Sequence, residues 1–509
     1  MRSTTDFHGG GNRRNPRCAA LILLFTFVFL ILPGPARAYG IGQNRLDISL
    51  PDMRDSSETV LSATDAQQLG EAFMRRIRTK LSVIDEPEIS TYLNTLGYRL
   101  ASHSGGQNQG SGASNVRFTF FGVKDSAINA FAVPGGFIGI NAGLILATES
   151  ESDLAAVLAH EIAHIRQNHV ARAIQLSEKM HPLTTAGMLA ALVIGSQNSE
   201  AGQAAMAAVS AGGVQKQIDF TRANEEEADR LGILTLAAAG FDPRAMPNFF
   251  ERMQTAHRYY SEPPEFLSTH PVTVSRIADS RNRAEQYPYR QYSDTLEYHL
   301  VRAHLTVMMG KNPQESVIYF DDVLRNGKYR NRTGARYGLA LASMAAGNWK
   351  RARTELGKLR KEKPDHVTFQ ARLADVELAA GHIREAIRLY GDALLLYPGN
   401  RSLTLGYARA LLEGNEPEKV IGLLDRREEG LIRDSALQKL LARAFSQVGR
   451  QAQANAALAE HYYLEGYLNS AIRQLRMALK LPNQDYYQSS RIEARLRQFE
   501  EERRRLRGE

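Results

Sequence analysis

The second half of the 509-residue chain repeats one helical pattern at a regular interval, and this period restricts the possible folds more than any other feature. Segments rich in Ala, Leu, Arg and Tyr alternate there with short turns that contain glycine. The turn glycines recur at nearly equal spacing, at Gly347, Gly381, Gly414 and Gly449. A period of about 34 residues fits a hairpin of two helices, which buries its apolar face only against neighbouring hairpins. We therefore predict an all-α solenoid over residues 291–509.

Residues 39–290 show a different pattern, in which short strands stand among longer helices. Apolar spacing predicts helices over 64–103, from about Thr148–Ser152 and over Val214–Ala239, and strands over 116–124 and within 127–145. The expected fold class is therefore α+β and mainly helical. A domain with a small sheet, residues 39–290, precedes the solenoid.

The first 38 residues have the organisation of a signal peptide. A basic stretch ends at Arg17, an apolar run extends from Cys18 to Leu32, and a small-x-small cleavage pattern occupies 36–38. The apolar run is shorter than the roughly 20 residues that span a bilayer. We expect an exported protein whose mature chain begins at Tyr39 and has no transmembrane span.

Composition excludes several kinds of site and partner. Cys18 is the only cysteine, so the mature chain offers no disulfide, thiolate nucleophile or cysteine metal ligand. The formal net charge of +8 falls to +4 without residues 1–38, which contain five arginines and one aspartate, and this excess is too small to indicate nucleic-acid binding. Residues 183–213 are rich in Ala, Gly, Met and Leu, but a polar stretch interrupts them. We predict a flap or packed hairpin over the active site there.

The segment His160-Glu161-Ile162-Ala163-His164 lies in a predicted helix and supplies the first candidate metal ligands. Side chains four residues apart share one face of a helix, so both imidazoles can reach the same ion. Glu161 lies beside them, where its carboxylate can take a proton from the attacking water. The pattern predicts one Zn²⁺ per subunit.

A third protein ligand is expected on the second long helix. Glu225 and Asp229 are four residues apart, so Glu225 can bind the metal while Asp229 accepts the far ring N–H of a histidine ligand. His169 follows His164 by five residues, on another face of the helix, and we interpret it as a surface residue.

Two further segments accompany these motifs, Asn-Ala-Phe-Ala-Val-Pro-Gly-Gly at 129–136 and Ser-Thr-His-Pro at 268–271. Together with the motifs at 160–164 and 225–229 they resemble the gluzincin-type peptidase family that includes HtpX and the CAAX prenyl endopeptidases. The resemblance implies a zincin-like metallopeptidase domain. In such a domain the two histidines and the first glutamate of the second motif bind zinc, here His160, His164 and Glu225, and Glu161 is the general base.

The helical period of about 34 residues is that of tetratricopeptide repeats. An exported peptidase fused to such repeats is similar to envelope members of the same family. The similarity implies an endopeptidase of the Gram-negative periplasm that degrades misassembled outer-membrane proteins, with an additional role as a chaperone in their assembly. It also implies that the repeat domain binds unfolded substrates or docks on the outer-membrane assembly machinery.

His270 precedes a proline in an irregular stretch, and two roles are open for it. It can stabilise the oxyanion of the tetrahedral intermediate, or occupy the open position of the zinc and hold the enzyme latent until substrate displaces it. Arg276 is a weaker candidate for the oxyanion role.

The segment Phe137, Ile138, Gly139, Ile140 and Asn141 comes shortly before the metal-binding helix. We predict an edge strand whose main chain pairs with an extended substrate, since main-chain hydrogen bonds tolerate varied side chains.

A rival hypothesis places the function of the protein in its repeat domain. In it the chain is a chaperone or scaffold protein, and its zinc site is latent or structural. The presence of Glu161 argues against an inactive site, because a site without catalytic activity would not need this glutamate.

Overall fold

The structure is a computed structural model that describes residues 63–105, 116–133, 135–169, 172, 221–259, 266–267, 270–425, 434–482 and 485–507. All of them lie in one compact unit, Leu46–Glu509. The predictions for the signal peptide at 1–38 and for the segment 183–213 fall outside the described residues.

The N-terminal part combines helices with a small sheet. In chain order its elements are α1 Ala63–Lys80, β1 Val83–Ile84, α2 Pro87–His103, β2 Thr119–Val123, β3 Ala130–Val133, β4 Phe137–Asn141, α3 Ala142–Ala147, α4 Glu151–Arg166, α5 221–238, α6 Ala245–Tyr259 and α7 Val274–Ala284. The strand order is β1-β2-β4-β3. β4 pairs with β2 in parallel and with β3 in antiparallel orientation.

The position of β4 contradicts the predicted edge strand. Phe137, Ile138, Gly139, Ile140 and Asn141 are all buried, and both sides of the strand are paired. Their uninterrupted apolar run is the pattern of a central strand with two covered faces. Among the described strands, β3 is the one at this edge of the sheet. The strand also ends at Asn141, where α3 begins, although strand structure was predicted as far as residue 145.

Helix α4 begins where the sequence predicted it, at a capping box. The Ser150 hydroxyl accepts a hydrogen bond from the Asp153 N–H, and the Asp153 carboxylate accepts one from the Ser150 N–H, both at 3.2 Å. The helix is then buried on every side from Glu151 to Ala163. It packs against α2, β3 and α6, and this packing holds the metal-binding motif in the interior.

The C-terminal part is a run of paired helices. They are α8 Leu296–Met309, α9 Pro313–Arg325, α10 Arg332–Ala345, α11 Trp349–Glu362, α12 Val367–Ala379, α13 Ile383–Leu396, α14 Arg401–Glu413, α15 Pro417–Asp425, α16 Ser435–Gln447, α17 Gln451–Leu464, α18 Leu468–Leu479 and α19 Tyr486–Arg507. The predicted fold class, mainly helical α+β followed by an all-α solenoid, is confirmed.

The turns of the repeats obey a stricter period than the glycines suggested. Gly347, Gly381, Asn415 and Gly449 have positive φ angles of 74°, 83°, 57° and 76°, and the intervals between consecutive members of this series are equal. Gly414 lies in its turn as predicted, but its φ is −79°, and the next residue, Asn415, takes the left-handed position. Asparagine tolerates the left-handed region better than most residues, which explains the exchange.

Helix α8 belongs to two cores. Tyr298, Val301 and Leu305 are buried in the core of the N-terminal part, whereas Leu300 and Ala303 are buried in the first core of the solenoid. The domain boundary predicted at 290–291 remains a prediction, and the helix that follows it is shared between the two parts.

The solenoid also holds the start of α2 through buried charges. The carboxylate of Glu88 accepts hydrogen bonds from Tyr337 at 2.6 Å and Arg372 at 3.2 Å, and it lies 3.2 Å from the His304 ring. Burial raises the pKa of Glu88, but these three partners outweigh that effect and hold it at about 2. Arg372 also pairs with Glu86 at 3.1 Å.

The last repeat contacts α1, the first described helix. Arg75 of α1 pairs with Glu502 of α19 at 2.6 Å and lies 4.6 Å above the Tyr463 ring. Gly466, with a φ of 85°, approaches α1 so closely that a Cβ there would stand 2.2 Å from the Arg75 carbonyl oxygen. The solenoid therefore contacts the N-terminal part at both of its ends.

Within the described part of the chain, no helix combines the length and the apolar character needed to cross a bilayer.

Candidate metal centre

Two helices and one irregular segment bring the candidate ligands together. Helix α4 carries His160 and His164, α5 carries Glu225, and His270 lies just before α7. One donor atom from each of these four residues lies within 4.8 Å of all the others. The sequence predicted the first three as ligands and left the position of His270 open.

The spacing of these atoms fits a tetrahedral cation. His160 Nε2 lies 2.9 Å from His164 Nε2 and 3.3 Å from His270 Nδ1. Glu225 Oε1 lies 3.3 Å from His164 Nε2 and 3.1 Å from His270 Nδ1. Ligand atoms about 2.0–2.1 Å from a tetrahedral zinc stand roughly 3.3 Å apart, close to these values. Ring nitrogens that face each other at such distances need a proton or a cation between them.

His160 is backed by a carboxylate, as the sequence predicted for Asp229. His160 Nδ1 lies 3.0 Å from Asp229 Oδ1, and both side chains are almost fully buried. Burial lowers the pKa of His160, but hydrogen bonds to Asp229 and Glu225 outweigh it and raise that pKa to about 10. Burial also lowers the pKa of His164, there to about 3, which keeps its ring neutral. The two histidines therefore differ in basicity.

His169 lies behind the other histidine, and its interpretation as a surface residue is wrong. It is 4% exposed, and its Nδ1 lies 2.8 Å from His164 Nδ1. That interpretation assumed that the helix continues, but α4 ends at Arg166 and Asn168 adopts a positive φ of 52°. The chain turns back at this point and brings His169 under His164. An asparagine just after the motif was the available signal of a helix end.

Glu161 lies on the other side of the donor group. It is 1% exposed, its Oε1 is 3.3 Å from His270 Nε2, and it accepts a hydrogen bond from the Ala132 N–H of β3. Burial raises the pKa of Glu161. A buried carboxylate with a raised pKa beside a cation site is suited to accept and release a proton.

His270 joins the donor group instead of standing apart from it. Its Nδ1 is one of the converging atoms, its Nε2 reaches Glu161, and its ring stacks on Phe266 with centroids 5.0 Å apart. In this arrangement the His270 ring supplies a fourth donor atom to the group.

Arg276 occupies a place that the sequence did not predict. Its guanidinium makes two hydrogen bonds to Asp229, at 2.7 and 2.8 Å, and an ion pair with Glu225 at 3.0 Å. It also donates to the Pro271 carbonyl oxygen at 2.7 Å. All three of its nitrogens therefore take part in holding the acidic pair of α5 and the segment after His270.

Converging histidines and a glutamate beside a buried carboxylate, on a central helix behind a small sheet, define a metallopeptidase. The chain belongs to the family of the beta-barrel assembly-enhancing proteases. It is 35% identical over 453 residues to that protease from Escherichia coli (strain K12), a match that covers 89% of this chain and 91% of the relative.

Other comparisons agree with this family. A putative beta-barrel assembly-enhancing protease from Vibrio cholerae is 36% identical over 479 residues, covering 93% of this chain and 96% of the relative. The mitochondrial metalloendopeptidase OMA1 of Schizosaccharomyces pombe is 32% identical over 167 residues, covering 33% of this chain and 47% of the relative. Residues 91–284 match Peptidase family M48, and residues 377–444 match a tetratricopeptide repeat.

Proposed function

We propose that this metallopeptidase is a zinc endopeptidase of the bacterial periplasm that degrades misassembled outer-membrane proteins and can aid their assembly. The observation that carries the chemistry is the convergence of His160, His164 and Glu225 beside buried Glu161. The relatives are named beta-barrel assembly-enhancing proteases, which supports a protease that acts in the assembly of β-barrel proteins, and the signal-peptide pattern at 1–38 supports export.

In this proposal each side chain has one task. His160, His164 and Glu225 hold the zinc ion, which supplies Lewis acidity for the scissile carbonyl and for the attacking water when bound. Glu161 accepts a proton from that water and passes it to the leaving nitrogen. Asp229 fixes His160 with its Nε2 lone pair toward the ion.

The substrate main chain is proposed to pair with β3. This strand lies at the edge of the described sheet and packs against α4, and its Ala132 N–H already points to Glu161. Pairing through the main chain tolerates many substrate sequences. The solenoid would then bring substrates, or the outer-membrane assembly machinery, to the same molecule.

The test is cleavage of an unfolded protein by the mature chain with its zinc content controlled. We expect cleavage by the zinc-loaded chain, loss of cleavage after a chelator removes the metal, and recovery with Zn²⁺ but not with Mg²⁺. Magnesium prefers oxygen ligands in octahedral geometry, so it fits this histidine-rich site poorly. Cleavage that persists in the chelated chain would contradict a metallopeptidase mechanism here.

One observation, the presence of four donors, supports the rival scaffold function. Structural zinc sites are closed by four protein ligands, whereas catalytic sites keep one position open. With His270 among the donors the described site is of the closed kind. We infer that His270 is a latch and not an oxyanion donor, because its Nδ1 lies with the metal donors.

Replacing His270 by Ala distinguishes the latch from the other roles. A latch hides activity in proportion to the time that it is closed, so His270→Ala should cleave an unfolded protein faster, by about tenfold if the latch is closed for about nine-tenths of the time. An oxyanion donor would instead lose roughly 10²–10³-fold in turnover. An inactive zinc-loaded His270→Ala chain would favour the structural site and the scaffold function. Initial rates at saturating zinc measure the difference, with exposed His103 replaced by Ala as the control.

A further inference from the structure

Behind His164 lies a short hydrogen-bonded relay that the proposed mechanism does not use. His164 Nδ1 faces His169 Nδ1 at 2.8 Å. The other ring nitrogen of His169, Nε2, lies 3.2 Å from Glu227 Oε2, and the same oxygen accepts from Arg172 at 2.8 Å. Each of these contacts lies on the side of His164 away from the metal donors.

If the site is to bind a cation, the hydrogen bonds in this relay can run in only one direction. The Glu227 carboxylate only accepts hydrogen bonds, so the proton of His169 is on Nε2. Nδ1 of a neutral His169 is then an acceptor, and His164 must donate its own Nδ1–H. This places the lone pair of His164 on Nε2, among the converging donors. The opposite direction would put a proton there and exclude an ion.

We infer that His169 is a positioning residue that fixes the tautomer and the ring orientation of His164, and that Glu227 in turn fixes His169. This inference rests on the proposed zinc site. The two histidine ligands then differ in what stands behind them, since His160 has the Asp229 carboxylate and His164 has a neutral imidazole. Histidine ligands commonly need such a partner, and its loss typically weakens metal binding by about 10–100-fold.

The test measures zinc affinity by competition with a coloured chelator, so it does not depend on cleavage. We expect His169→Leu to weaken zinc binding by about 10–100-fold. His169→Asn should stay near the wild type, because the Asn Oδ1 occupies the place of the His Nδ1 and still accepts from His164. The cobalt-substituted protein should show a changed visible spectrum for the Leu variant and an unchanged one for the Asn variant.

A second pair of variants tests the order of the relay. Glu227→Gln should weaken zinc binding in the wild-type chain, because the Gln amide can donate to His169 Nε2 as well as accept from it and no longer imposes one tautomer. It should not weaken binding in the His169→Asn chain, because the shorter Asn cannot reach position 227. Glu226→Gln is the matched control, since Glu226 is its exposed neighbour on α5. If His169→Leu does not fold, as judged by thermal unfolding of the metal-free proteins, these variants carry the test alone.

The outcomes separate this inference from the proposed function. Wild-type chain that binds no zinc would overturn the zinc site and the relay together. Tight binding by the wild type and equally tight binding by His169→Leu would overturn the relay alone. The relay alone would also be overturned if Glu227→Gln weakened zinc binding equally in the wild-type and His169→Asn chains.

Discussion

A chain with Glu161 replaced by Gln cleaves peptide bonds about 10²–10⁴ times more slowly than the wild type and still binds its metal, as expected for loss of a general base. Glutamine keeps the size of the side chain and an oxygen that can accept from the Ala132 N–H. It cannot take a proton from water. The ligand atoms of His160, His164 and Glu225 are untouched, so zinc content should not change.

The measurement is a progress curve for an unfolded protein at equal zinc occupancy. Glu226→Gln is the control, because it makes the same chemical change at an exposed position of α5. Equal rates for Glu161→Gln and the wild type would remove Glu161 from the mechanism. Loss of zinc from the variant would instead show that Glu161 supports the site structurally.

A mature chain that ends at residue 290 fails to form a stable peptidase domain, although the sequence places a domain boundary there. It lacks Tyr298, Val301 and Leu305, which are fully buried in the N-terminal core. Burying three such side chains contributes about 5–9 kcal/mol in total. That amount is comparable to the roughly 5–15 kcal/mol by which a whole domain is stable.

The same truncation removes polar partners of α4 and of the segment just before it. The Glu151 carboxylate accepts from Thr295 N–H at 2.8 Å and from its hydroxyl at 2.7 Å, while the Glu151 N–H donates to Asp294 at 2.7 Å. Arg302 donates to the Thr148 carbonyl oxygen at 2.6 Å, just before α4. Without these partners, polar groups at the buried start of α4 are left without hydrogen bonds. Each such group lowers the stability of the domain by roughly a further 1–3 kcal/mol.

Urea unfolding followed by circular dichroism measures this effect. The matched comparison is a chain that ends at Ala345, which retains α8 together with the two helices that follow it. We expect a cooperative transition for the longer chain and none for the shorter one. A cooperative transition of equal midpoint for both chains would show that the predicted boundary is a true domain end.

Local chemistry made the convergence of most residues in the candidate metal centre predictable from sequence. The spacing of His160 and His164 requires only that a helix form between them, and Ser150 and Asp153 provide a capping signal for it. Glu225 and Asp229 follow the same rule on α5. Sequence left the role of His270 open, because its position depends on how a segment far along the chain from the motif folds back.

The errors arose where a neighbour, not the local pattern, decides the structure. The apolar run at Phe137–Asn141 indicates that both faces of the strand are covered, but it does not show whether both edges are paired. The parallel partner that makes the strand central is β2. His169 was misplaced because a left-handed Asn168 ends the helix one turn early. Asn415 was overlooked because glycine was taken as the sole marker of the repeat turn.

The contact between the last repeat and α1 should change how this solenoid unfolds. Stacked repeats normally contact only their neighbours, so the terminal ones fray first and independently of the rest. Here Arg75 and Glu502, which are 427 residues apart, join the final helix to the first described one. Fraying must break that contact as well, so unfolding of the end is coupled to the peptidase part. Contacts of such long sequence separation also slow folding, because a large loop must close before they form.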